Sequence, residues 1–105
     1  MAGAVRKVVD ERLYLSRRKG GGVLRREIWT DTQGTVVRYN LAYVNPLIYA
    51  GDRGRVLGYD AAHGTHHRHY MGAVSEVAFD RFERIEARFY REWAALVKGM
   101  KRAEN

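Results

Sequence analysis

From Asp80 to about Lys101 the apolar residues Phe82, Ile85, Phe89, Trp93, Leu96 and Met100 recur every three or four positions, with arginines and glutamates between them. Before residue 79 the readable apolar runs alternate one by one instead. A lone amphipathic helix must bury its stripe against something, and a sheet face built from the alternating runs is the available partner. The expected class is therefore α+β: an antiparallel meander of four to five strands covered by one long C-terminal helix. Asp80 is the expected N-cap, with Glu83 in the capping-box position, and Phe82, Ile85, Phe89 and Trp93 are the expected buried residues.

Four segments read as strands. Val8–Ser16 alternates through Val9, Leu13 and Leu15, with Glu11 as the exception, and Val23–Thr30 places Leu24 and Ile28 on one face and Arg25, Glu27 and Trp29 on the other. Arg17-Arg18-Lys19-Gly20-Gly21-Gly22 between them reads as a flexible hairpin turn. After the turn Asp31–Gly34 comes the clearest strand, where Val37, Tyr39, Leu41 and Tyr43 alternate with Arg38, Asn40 and Ala42. Asn45-Pro46 ends it. Gly51–Gly54 is a turn into the strand Arg55–Asp60, and Val74–Ala78 is a short fifth candidate. Ala61–Gly72 lacks an apolar period and reads as a loop with at most a short extended piece. Tyr39 and Tyr43 are taken as core and not as a stacking platform.

At 105 residues without repeats or a linker, the chain is read as a single domain, 1–105. It has no cysteine, which excludes disulfides and thiolate metal sites. No apolar run approaches the roughly 20 residues of a bilayer-spanning helix, and the N-terminus has no apolar signal-peptide core. A soluble, cytoplasmic protein is the expectation. Lysine and arginine number nineteen against twelve acidic residues, and fifteen of the nineteen are arginine. Arginine's planar fork suits phosphate, so an anionic partner such as RNA is expected. Residues 1–26 hold eight of the basic residues, and Arg17, Arg18, Lys19, Arg25 and Arg26 are the candidate phosphate contacts. The bland alternative is a solvated hairpin tip.

All four histidines lie between His63 and His69, within Gly58-Tyr59-Asp60-Ala61-Ala62-His63-Gly64-Thr65-His66-His67-Arg68-His69-Tyr70. If Thr65–Met71 is extended, His67 and His69 share one face and His66 and Arg68 the other. A His-x-His pair on a strand suits a borderline metal with Asp60 or His63 as third ligand, or general acid–base work near neutral pH. In the second case Asp60 orients an imidazole, His67 and His69 divide the base and acid roles, and Arg68 clamps the phosphate. Such a set makes a metal-independent ribonuclease using a 2′-hydroxyl nucleophile. Structural histidines that cap loops or stack on tyrosine are the competing reading.

On Gly58-Tyr59-Asp60, the short glycine-containing loop, His67-Arg68-His69 and Gly72, preceded by Arg55-Val56-Leu57 and followed by an aromatic-led helix, the chain resembles the TumE-type toxin family of prokaryotic toxin–antitoxin pairs. The specific part spans about fifteen residues. Ala61 stands where that pattern has Asn, and His63 and His66 lie outside it. The resemblance implies a small toxin encoded beside a helix-turn-helix antitoxin. The combined expectation is a toxin-like protein acting on RNA through Asp60, His67, Arg68 and His69, without a cofactor, with the antitoxin, RNA and a second copy of itself as partners. The rival readings are a non-catalytic nucleic-acid-binding module and a histidine-loop metal-binding protein.

Overall fold

The computed structural model describes residues 3–62 and 64–104, the last three by backbone alone. Six strands, β1 (Arg6–Tyr14), β2 (Val23–Thr30), β3 (Val36–Val44), β4 (Arg55–Ala62), β5 (Thr65–Tyr70) and β6 (Ala73–Glu76), form one antiparallel sheet in chain order. A single helix, α1 (Phe82–Glu104), packs on one face against β3 and β4. The α+β meander with a C-terminal helix is thus as the periodicity requires. The added strand is β5, which occupies the segment expected to be a loop. It carries no apolar alternation because polar side chains are engaged on both of its faces. No helix among the described residues is long and apolar enough to cross a membrane.

The core lies between sheet and helix. Tyr39, Leu41 and Tyr43 of β3 sit opposite Ala61, Tyr59 and Leu57 of β4, all buried together with Leu24 and Ile28 of β2. Phe82, Ile85 and Phe89 of α1 close over them, and Val97 is buried one turn beyond Trp93. Trp93 is only half-buried, its ring edge-on to Tyr43 at 6.3 Å. The buried seam therefore steps from Phe89 to Val97 and leaves Trp93 at its border. The helix also starts at Phe82, so Asp80 is not at the capping position; its carboxylate pairs with Arg84 at 3.1 Å.

The basic hairpin turn is anchored. Arg17–Lys19 forms one turn of 3-10 helix, and the Tyr43 hydroxyl lies 3.1 Å from the carbonyls of both Gly20 and Gly21. Gly22, at φ +77°, cannot carry a side chain, since a Cβ would lie 2.5 Å from the Val44 carbonyl oxygen.

Candidate active site on the open sheet face

Alternation sends every second side chain away from α1. The strand register then aligns these outward residues across the whole sheet. Asp10, Glu27, Asn40, Asp60, His67 and Glu76 form one row through all six strands, and Arg12, Arg25, Ala42, Gly58, His69 and Val74 form the next. Ala42 and Gly58 are the small residues at the middle of the second row. Over them opens a cavity of about 570 Å³ lined by Arg12, Arg25, Arg53 and Arg55 among others. A second cavity of about 450 Å³ holds Glu27, Trp29, Asp60 and His67. Both are lined by Asn40 and Arg55, so they make one trough.

Asp60 is the hub of the site. Its Oδ2 lies 2.9 Å from His69 Nε2 and 3.4 Å from Arg55 Nη1, and its Oδ1 is 3.7 Å from His67 Nδ1. Arg55 Nη2 is 3.0 Å from His69 Nδ1. A guanidinium only donates, so Nδ1 must accept, and the network places the ring proton of His69 on Nε2. That nitrogen is enclosed and sits off the line of a straight hydrogen bond to Asp60, so the contact between them is close and electrostatic and not a directed bond. His67 is the open imidazole of the pair, at 39% side-chain exposure against 13% for His69.

Arg55 reaches this cluster for two local reasons. Tyr43 faces Leu57 while Val44 faces Arg55, so the register slips by one residue and a bulge forms at Val56. Without it, alternation would send Arg55 to the helix side with Leu57 and Tyr59. Gly58 then provides the space, because a Cβ there would stand 2.9 Å from Arg55 Cδ. Asp52 fixes the arm from the other end, accepting from Arg55 Nε at 2.8 Å. Asp52 and Arg53 both hold left-handed backbone, φ +49° and +56°, which costs non-glycine residues energy and is typical of functional loops. A second bulge, at Val8, turns Lys7 outward opposite Trp29. There Lys7, Arg25 and Asn40 donate to Glu27. Burial pushes the Glu27 carboxyl up, but the Lys7 and Asn40 hydrogen bonds and the Arg25 charge outweigh it and hold the group below the usual carboxylate range.

Of the residues expected from sequence to act together, Asp60, His67 and His69 are assembled and Arg68 is not. Arg68 points to the helix side, where Nη2 lies 2.6 Å from Glu92 Oε2. Tyr59 also donates to Glu92 in a short hydrogen bond. The Glu92 carboxyl is pushed up by burial yet held low overall by Arg68 and Tyr59, while burial and the bond to Glu92 raise the Tyr59 phenol to about 12. Arg68 is thus a tie between sheet and helix, and Arg55 is the arginine at the imidazoles. His66 also faces the helix side, stacked on Phe79 at 3.9 Å with its Nδ1 2.9 Å from the Tyr39 hydroxyl. His63, weighed as a ligand, lies outside the described residues.

The five basic candidates separate in the same way. Arg25 lines the trough, whereas Arg26 alternates to the helix side and pairs with Glu86 at 2.7 Å. Arg17 and Lys19 stand over hollows beside the C-terminal part of α1, with Arg18 in the same 3-10 turn. Sequence reasoning missed Arg12, Arg53, Arg55 and Trp29 as site residues. The signal within reach was the outward parity of Trp29 with Arg25 and Glu27; Arg55 and Lys7 depend on bulges that alternation does not announce.

Among the described residues no group of three or more His, Asp or Glu is arranged to hold a metal ion. The guanidinium of Arg55 supplies the positive charge between Asp60 and His69. No family model matches the chain, and neither a curated protein nor a solved structure matches it.

Proposed function

We propose that the protein is a toxin-like ribonuclease that cleaves RNA in the trough of the open sheet face. The observation that carries this is the Asp60 hub, with an open imidazole at 3.7 Å, a closed one at 2.9 Å and an arginine at 3.4 Å, beside a wall of further arginines. His67, with the Asp60 carboxylate 3.7 Å from its Nδ1, takes the proton of a 2′-hydroxyl. The 2′ oxygen attacks the adjacent phosphorus, the P–O5′ bond breaks, and the departing 5′ oxygen takes a proton from solvent in the open trough. The products are a 2′,3′-cyclic phosphate and a 5′-hydroxyl. Arg55 and Arg25 neutralise the charge that grows on the phosphoryl oxygens. His69, enclosed between Arg55 and Asp60, is a positioning residue that holds both.

The resemblance of Gly58-Tyr59-Asp60 and His67-Arg68-His69 to the TumE-type toxins supports the biological setting, a toxin restrained by a helix-turn-helix antitoxin. Within that motif Gly58, Asp60, His67 and His69 serve the site, and Tyr59 and Arg68 serve the packing behind it. The test is incubation with single-stranded RNA in excess chelator, followed by analysis of the new ends. Cyclic phosphate ends support the proposal. Binding without cleavage reassigns the protein as a nucleic-acid-binding module, and cleavage abolished by chelator reassigns the imidazoles as metal ligands.

A further inference from the structure

We infer that Trp29, flanked by Lys7 and Arg38, is a stacking subsite for one unpaired nucleobase, so that the trough takes single-stranded RNA; this rests on the ribonuclease reading. Trp29 is half-buried on the open face, whereas α1 and the core lie on the other side of the sheet. The packing behind the sheet therefore does not use the indole. It lines the same cavity as Asp60 and His67.

Two cations lie on the indole. Lys7 Nζ is 5.0 Å and the Arg38 guanidinium carbon 4.6 Å from its ring. Arg38 is exposed and opposite Trp29 in the β2–β3 register, so it is free to lift from the ring or to cover a base laid there. Base–aromatic stacking is worth more than an exposed cation–π contact, which gives an arriving base the advantage. Flat arginine is itself a stacking surface for bases.

Distance connects the subsite to the chemistry. Trp29 on β2 and Asp60 on β4 are separated by β3 and by two residues along the strands, about 12 Å at the usual strand spacing and rise. One nucleotide spans that from the far edge of its base to its phosphate, which brings the phosphate to Asp60 and His67. A base-paired strand has no free face to give the indole.

The experiment uses a Trp93→Phe chain, in which Trp29 is the remaining tryptophan, and a 2′-O-methyl hexanucleotide that lacks the nucleophile and cannot be cleaved. Titration at low salt should quench Trp29 fluorescence, and the same oligonucleotide paired into a duplex should not. In steady-state cleavage of single-stranded RNA, Trp29→Ala should raise KM by about 5- to 150-fold with kcat little changed, and Trp29→Phe should recover most of the loss, which separates stacking from misfolding. Cleavage with no quenching and an unchanged KM in Trp29→Ala overturns the subsite and leaves the ribonuclease reading standing. Neither binding nor cleavage overturns both.

Discussion

Arg55 and Arg68 have the same chemistry and opposite duties, decided by which face of the sheet each reaches. Arg55→Ala should abolish most cleavage while leaving the helix packed. Arg68→Ala should leave Glu92 without its closest cation, with the Tyr59 hydrogen bond still in place, and cost about 2 kcal/mol of stability, between the values for exposed and buried pairs, with cleavage by the folded fraction unchanged. Chemical denaturation and cleavage assays of the two variants check this, and a catalytic loss confined to Arg68→Ala would reverse the assignment. His66 makes a second prediction at this scale. Burial and the neighbouring His67 disfavour its imidazolium and push its titration below the ordinary histidine range. Tyr39 stays protonated, since burial pushes its ionisation up, and its hydroxyl shares a hydrogen bond with His66 Nδ1 at 2.9 Å. As pH falls the unfolded chain binds a proton at this position before the folded one does. The stability His66 contributes is therefore complete above about pH 6.5 and is lost as pH falls through the lowered folded value. Denaturant midpoints should fall on acidification from neutrality, and His66→Phe should flatten that fall; an equal slope in both proteins would contradict it.

Strands and helix are legible to different degrees because they bury different things. In α1 the apolar step from Phe82 to Phe89 meets the core directly, and Phe89→Ala should cost about 3–5 kcal/mol. Trp93, at the border of the seam, should cost less when truncated, and the reverse order in denaturation experiments would contradict this packing. β3 was readable for the same reason, since Tyr39, Leu41 and Tyr43 alternate into the core without interruption. β5 was not readable, since Arg68 pairs with Glu92 on one face and His67 and His69 meet Asp60 on the other. The pairing of His67 with His69 opposite Asp60 followed from strand parity alone. The arginine beside them did not, because the β4 bulge inverts parity and only Gly58 lets the Arg55 arm cross. Gly58→Ala should therefore displace Arg55 and lower cleavage about a hundredfold, as misplacement of a catalytic group by an ångström commonly does, with the helix content by circular dichroism unchanged. Undiminished cleavage in that variant would contradict the role of the crossing.

At the scale of the whole molecule, one helix covers one face of a six-stranded sheet and leaves the other face to carry charge. The net charge of +7 is distributed unevenly with respect to function. Arg12, Arg25 and Arg53 face the trough, and Arg17, Arg18 and Lys19 sit at the anchored turn beside the end of α1. Replacing the first three by Ala should reduce the salt slope of single-stranded RNA binding by about two, at roughly 0.7 for each phosphate left without its arginine, whereas replacing the second three should alter it little. Equal effects would spread binding over the whole surface. The most direct measurement is single-turnover cleavage of single-stranded RNA in excess chelator by the unaltered protein, His67→Ala and Arg68→Ala at matched folded fractions. The predicted result is 2′,3′-cyclic phosphate ends from the unaltered protein and from Arg68→Ala, and a rate lower by orders of magnitude from His67→Ala. Cleavage that survives the loss of His67, or that fails only with Arg68, would contradict an active site on the open face.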